Sequence, residues 1–172
     1  DLRARIQGDL DGMQALVREG LAYARSLNEA TPAQPIDLDS LLEALCDDAR
    51  DMGWTLSLSG RVGTPLHAQP TAVRRALWNL IENGVKFGGD VGIIVSTKPD
   101  VIEIRIRDHG PGLPESELEK VFEPFYRLET SRNRETGGTG LGLAITRNLL
   151  RRQHGSIRLR NHPDGGLEAI VL

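Results

Sequence analysis

TAVRRALWNLIENGVKF (residues 71–87) reads as a two-sided helix. At about 100° per residue, Arg75, Asn79, Glu82, Asn83 and Lys86 fall on one stripe. Val73, Leu77, Leu80, Ile81 and Gly84 fall on the other, a face made to lie on a sheet. Asparagine is a poor helix former, so two of them at i and i+4 cost helix stability and suggest a task. A carboxamide oxygen can ligate a hard cation such as Mg²⁺, and a lysine can meet a phosphate as a point charge. The alternative is a polar face that caps loops or binds water, and the helix alone leaves both open.

On the upstream side, Ile6, Leu10, Met13, Val17, Gly20, Ala24 and Leu27 recur in steps of four and three, a heptad seam over residues 1–27. The seam needs another helix, from outside this chain or from another copy; the alternative is an amphipathic helix lying back on the domain. Residues 28–37, NEATPAQPID, have two prolines and no periodicity and read as a linker. Asp39 then opens a helix to about Met52, with Leu41, Leu42, Leu45, Cys46 and Ala49 inward and Gly53 as the stop. WTLSLS (54–59) alternates as a strand, and a short strand at 66–68 leads through Pro70 into the quoted helix.

Downstream, Gly88 and Gly89 end that helix. VGIIVSTK (91–98) and VIEIRIRD (101–108) form a hairpin around Pro99-Asp100. Residues 113–139 are charged, contain glycine and are too long for a simple connector, so they read as a mobile functional loop. GTGLGLAITRNLLRRQH (138–154) begins as a glycine-rich turn and becomes a helix, and strands at 156–161 and 167–172 close the chain.

The 172 residues, 39% of them hydrophobic, allow one good core. A net charge of −3 and 4% aromatic content give no basic surface or stacking platform for nucleic acid. The single cysteine, Cys46, reads as a core residue and excludes an intrachain disulfide. No run approaches the ~20 apolar residues of a membrane span. Starting at Asp1 without Met, the chain reads as a piece of something longer.

Two further stretches could carry chemistry. Asp108 ends a strand and is followed by Gly110 and Gly112, which allow backbone to approach a flat ligand closely. A carboxylate there can accept from an exocyclic amine such as that of adenine, though strand-end Asp-Gly pairs are also common turns. Gly137-Gly138-Thr139-Gly140-Leu141-Gly142-Leu143 opens a helix, where freed amides and the helix N-terminus suit phosphate. It is neither a P-loop nor a dinucleotide fingerprint, because it follows a long segment rather than a strand.

Taken together, NLIENGVKF (79–87), DHGPG (108–112), FEPFYR (122–127) and GGTGLGLAI (137–145) resemble, in order and spacing, the N, G1, F and G2 boxes of sensor histidine kinases. The resemblance covers residues 37–172. It implies an α/β (α+β) two-layer sandwich, a mixed five-stranded sheet on three helices. Residues 1–27 resemble the second helix of the dimerisation and phosphoacceptor hairpin, 28–36 a linker, and 37–172 the catalytic ATP-binding domain. Site roles follow from the same resemblance. Asn83 would ligate Mg²⁺, with Asn79 and Lys86 near the phosphates of ATP and Phe87 near the nucleotide. Asp108 would read the adenine amine, Gly110 and Gly112 would shape its pocket, and Gly138, Thr139, Gly140, Leu141 and Gly142 would wrap the phosphates. Residues 113–139 would be the ATP lid, with Phe122 and Phe125 as anchors and Arg127 reaching the γ-phosphate or the docked substrate. Gly84 replaces a usual alanine, which is expected only to loosen the helix slightly.

The activity implied is transfer of the γ-phosphate to a histidine, then to an aspartate of a response-regulator receiver domain. The implied partners are the phosphoacceptor hairpin, that receiver domain and a second copy in a homodimer, with no nucleic acid. The implied setting is the cytoplasmic part of an inner-membrane sensor. The family's phosphoacceptor context, His then Asp or Glu then Arg-x-Pro-Leu, surrounds none of His67, His109, His154 or His162. Two alternatives remain: an ATPase of the same superfamily, or a non-catalytic nucleotide-sensing scaffold. The ATPases place a water-activating glutamate four residues before the metal-binding asparagine, and Asn79 occupies that position here. Anti-sigma serine kinases share the site, but the heptad helix favours the histidine kinase.

Overall fold

The computed structural model describes residues 2–28, 31–128 and 138–172. Helix α1 spans Leu2–Asn28, followed by β1 (Gln34–Ile36), α2 (Leu38–Asp51), β2 (Thr55–Ser59), β3 (Leu66–Ala68) and α3 (Pro70–Gly88). Then come β4 (Asp90–Lys98), β5 (Val101–Asp108), two short 3-10 turns at Glu115–Glu117 and Lys120–Phe122, α4 (Gly142–Arg152), β6 (Ile157–Asn161) and β7 (Leu167–Val171). Five strands form one mixed sheet in the order β2-β4-β5-β7-β6. Only β2 and β4 run parallel, the crossover being made by β3 and α3; the other neighbours are antiparallel.

Period-two alternation decides which sheet face is covered. Val91, Ile93 and Val95 of β4 and Ile104 and Ile106 of β5 point to the helices and are buried with Leu77, Leu80 and Ile81 of α3 and Leu42, Leu45 and Cys46 of α2. On the opposite face Glu103 is buried between Lys98 (2.8 Å) and Arg105 (2.6 Å), and Glu168 pairs with Arg160 (2.5 Å). Hydrogen bonds from Lys98 and Arg105 hold the Glu103 carboxyl below its usual range. These pairs leave an uncovered face that is polar rather than adhesive. Between α3 and β2, Trp54 and Trp78 stack with ring centroids 5.4 Å apart.

Three local expectations are corrected. The linker ends in a strand, because Gln34–Ile36 pairs antiparallel with Leu66–Ala68 and buries Ile36. The cap of α2 is Asp37, which accepts from the Ser40 amide (3.1 Å) and hydroxyl (2.7 Å). Asp39 instead accepts from Val62 N–H (2.8 Å) and Gly63 N–H (2.9 Å), fixing the loop after β2. Helix α1 does lie on the domain, but by Ala22, Tyr23 and Ser26 against α4. Ala22 and Tyr23 pack with Leu141, Ile145 and Leu149, and Asn148 donates to the Ser26 hydroxyl (3.2 Å). Its heptad seam, including Ile6, Leu10, Met13, Val17 and Leu27, stays exposed. Among the described residues no helix is long and apolar enough to cross a membrane.

Candidate functional site

The C-terminal half of α3 lies between two loops. One side meets the loop after β5. A Cβ at Gly84 would lie 2.6 Å from Val91 Cγ2 and 3.7 Å from Asp108 Cβ, and one at Gly88 would lie 2.6 Å from Asp108 Cβ and 2.8 Å from His109 N. Small residues one turn apart therefore let the helix settle onto the end of β5. Gly84 is thus a close-approach position and not merely a weak helix former. Gly110 closes from the other direction, since a Cβ there would sit 2.6 Å from the Phe87 carbonyl.

Asp108 is 7% exposed at the last position of β5. Its Oδ1 accepts from Gly110 N–H (2.8 Å) and Leu167 N–H (3.0 Å). No described residue donates to Oδ2. A buried carboxylate held through one oxygen leaves the other for an external donor. His109, beside it, contacts Asp90 at 2.8 Å through Nδ1.

The other side of α3 meets the glycine-rich loop and α4. Asn79 donates from Nδ2 to the Gly142 carbonyl and to Thr146 Oγ1, both at 3.3 Å. Its carboxamide thus latches α3 to the first turn of α4, a role the helical wheel does not reveal. One turn on, Asn83 is half-buried, and Lys86 Nζ lies 3.1 Å from where a Gly138 Cβ would stand and 5.3 Å from the Phe87 ring. Burial, then the nearby Arg127, lowers the Lys86 pKa, with Glu82 acting the opposite way. Lys86 and Arg127 thus bring positive charge to the glycine-rich loop.

Within the loop, Leu141 N–H donates to Thr139 Oγ1 (3.3 Å), Leu141 itself is fully buried, and Gly140 takes φ 75°. Gly140 accepts from Phe125 N–H (2.9 Å), and a Cβ on it would strike the main chain of Phe125 and Tyr126. Among the described residues no side chain caps α4 at Leu141, which leaves its first-turn amides without a side-chain cap.

The segment expected to be mobile is anchored in its first half. Val121 and Phe122 are buried, the Arg147 guanidinium lies 3.5 Å from the Phe122 ring centroid, and Arg147 pairs with Glu119 at 2.8 Å. Tyr126 hydroxyl donates to Glu117, which lowers the Glu117 pKa and raises that of Tyr126. Of the two expected anchors only the Phe122 ring serves; Phe125 is 60% exposed with φ 66°, held by its main chain instead. Gly137 and residues 129–137 of the expected lid lie outside the described residues.

With this geometry in view, residues 68–172 match the family of histidine kinase-, DNA gyrase B-, and HSP90-like ATPases. The chain belongs to that ATPase family. Its relatives in the family are sensor kinases: GtrS of Pseudomonas aeruginosa, 31% identical over 96% of this chain and 34% of the relative, and CpxA of Escherichia coli K12, 31% identical over 97% and 38%. The chain spans about a third of the length of these curated relatives. Among solved structures, full-length ShkA in complex with AMPPNP superposes with TM-score 0.77 at 25% identity, over 94% of this chain and 35% of that one. The ATP-binding domain of PrrB from Mycobacterium tuberculosis gives TM-score 0.66 at 29% identity, over 81% and 95%. As an ATPase-family domain homologous to the catalytic part of sensor histidine kinases, the chain has the mixed sheet of that fold.

Sequence reasoning missed four contributors. The Leu167 amide and Gly166 come from a turn about 60 residues beyond Asp108. Thr146 and Arg147 lie on the helix after the glycine loop, where spacing alone gives no sign that they face α3 or Phe122.

Proposed function

We propose that this domain binds ATP with Mg²⁺ and transfers the γ-phosphoryl group to a histidine outside the set present here, for onward transfer to a response-regulator aspartate. The observation that carries it is the position of α3, with Asp108 against Gly84 and Gly88 on one side and Lys86, Arg127 and Gly138 on the other. That spacing separates a base reader from an anion site on one rigid element. Asp108 would accept the adenine amine through Oδ2, with Gly110 and Gly112 shaping the pocket and Phe87 at its edge. Lys86, Gly138, Thr139, Gly140, Leu141 and Gly142 would hold the phosphates through the ammonium, main-chain amides and the N-terminus of α4. Arg127 would meet the γ-phosphate or the docked substrate. The approach of the Lys86 ammonium to Gly138 supports the fit of an anion here, and Asn83 offers a carboxamide oxygen, a hard ligand suited to Mg²⁺. When bound, Mg²⁺ supplies charge neutralisation on the phosphates, and the protein's share is positioning.

The ATPase alternative is disfavoured by Asn79, whose amide is committed to Gly142 and Thr146 and has no basicity. The four histidines do not offer a phosphoacceptor: His109 contacts Asp90, His162 lies 3.8 Å from Asp164, His154 sits at a helix end with φ 60°, and His67 lies in β3. We extend the proposal to the domain plan, with residues 1–27 as a hairpin helix, 28–36 as linker and 37–172 as the catalytic domain. It also covers a homodimeric parent and a cytoplasmic position in an inner-membrane sensor.

The first test is titration calorimetry with ATP, with and without Mg²⁺, on the wild type and Asp108→Asn. Mg²⁺-dependent binding that Asp108→Asn weakens, followed by phosphohistidine on a separately supplied hairpin, is the expected result. Absence of binding overturns the nucleotide site, and steady hydrolysis abolished by Glu82→Gln would favour the ATPase.

A further inference from the structure

The loop from Asp108 to Leu113 is gripped at both ends by the β6–β7 hairpin. At its start, Leu167 N–H donates to Asp108 Oδ1, and Gly166 packs so closely that a Cβ there would lie 1.9 Å from the Asp108 carbonyl oxygen. At its end stands Asn161, the last residue of β6. Asn161 Oδ1 accepts from Leu113 N–H (2.9 Å), while Nδ2 donates to the Leu113 carbonyl (2.7 Å) and to Glu115 (3.0 Å). The side-chain amide thus behaves as one more rung of an antiparallel ladder. Both of its donors are used on oxygens, and a flipped amide would face an oxygen with an oxygen, so three partners fix its orientation. Gly112, between the two grips, takes φ 72°, and a Cβ on it would lie 2.5 Å from Asn161 Oδ1.

We propose that Asn161 is a positioning residue for the nucleotide base: by pinning Leu113 it sets the path of residues 109–112 and hence the aim of the Asp108 carboxylate. This rests on the ATP site proposed above. The coupling is direct, since Gly110 N–H lies within the pinned segment and donates to the same Asp108 oxygen as Leu167. Slack at Leu113 reaches Asp108 through that bond. The phosphate end of the site is held by other contacts: Lys86 belongs to α3, Gly140 accepts from Phe125 N–H, and Asn79 ties the start of α4 to α3. Asn161 therefore governs the base and not the triphosphate.

The test compares ATP with inorganic tripolyphosphate as probes on the wild type, Asp108→Asn and Asn161→Asp. Asn161→Asp keeps the shape but removes both donors and sets an oxygen against the Leu113 carbonyl and Glu115. The expected result is ATP binding weakened about tenfold, as for loss of one or two buried hydrogen bonds, with tripolyphosphate affinity within about twofold of wild type. Equal loss for both ligands, or none for ATP, overturns the inference. Should the variant not fold, hydrogen exchange on the unaltered protein decides: Leu113 N–H protected like the β5 amides supports the grip, and exchange at an open-loop rate refutes it. Failure of the wild type to bind ATP would instead remove the nucleotide site itself, while the Leu113 protection would still report on the grip.

Discussion

Lys86 and Gly84 sit two residues apart on α3 and respond to opposite pressures. Lys86 is exposed, yet partial desolvation and then the nearby Arg127 disfavour its charge, so its protonated form costs a little stability at neutral pH. That cost lifts as pH rises through the lowered value towards the ordinary 10.5. A bound triphosphate reverses the shift, so binding takes up protons in alkaline buffers and the affinity falls as pH climbs through the lowered value. Calorimetry in buffers of different ionisation enthalpy reads this uptake directly. Lys86→Met should weaken nucleotide binding by about tenfold or more without lowering the unfolding midpoint. For Gly84→Ala, a gain of about 1 kcal/mol in helix propensity opposes an overpacking cost of roughly 1–3 kcal/mol against the buried Val91. A net loss is expected in urea unfolding, and combining it with Val91→Ala should cost less than the sum of the two by about 1 kcal/mol. The placement of Asn83 and Lys86 on α3 and of Asp108 at the end of β5 was legible in the sequence. The crowding at Gly84 was not, because it depends on how closely a helix and a strand approach, which no periodicity records.

At the scale of elements, α3 and α4 work as a pair joined by the Asn79 latch. Asn79→Ala should lower stability by about 1 kcal/mol as well as weakening nucleotide binding, since Thr146 still donates to Gly142 at 2.9 Å. Asn83→Ala should weaken binding and leave urea unfolding unchanged. A stability loss shared by both would show that Asn83 also holds structure. Helices α1 to α4 and all five strands of the main sheet were readable from periodicity, glycine stops and the Pro99-Asp100 hairpin. Strand β1 was not, because three residues containing a proline acquire strand geometry only by pairing with β3. The cap of α2 was misplaced by two residues because Asp37 and Asp39 are both capping types. Only the fold shows that Asp39 turns to the loop at Val62. The first half of the lid read as loose because of its charge, yet Glu117, Lys120 and Tyr126 spend that charge on one another.

For the whole molecule, the seam of α1 leaves Ile6, Leu10, Met13, Val17 and Leu27 exposed along one helix. Concentration-dependent association through Ile6, Leu10, Met13 and Val17 is expected in sedimentation experiments. Leu10→Glu with Met13→Glu should abolish it, and a strictly monomeric wild type at high concentration would overturn it. The heptad was visible in the sequence, but its division of labour was not: Ala22 and Ser26, off the seam, bind α4 while the seam faces outward. One last property belongs to the molecule as an optical object. The chain has two tryptophans, and they are the stacked Trp54 and Trp78, so all of its indole emission comes from one point between β2 and the middle of α3. Two transition dipoles this close couple, and the near-ultraviolet dichroism should show a split, two-signed band. Its amplitude follows the approach of α3 to the turn between α2 and β2 and vanishes when that approach is lost, while events at the lid leave it dark.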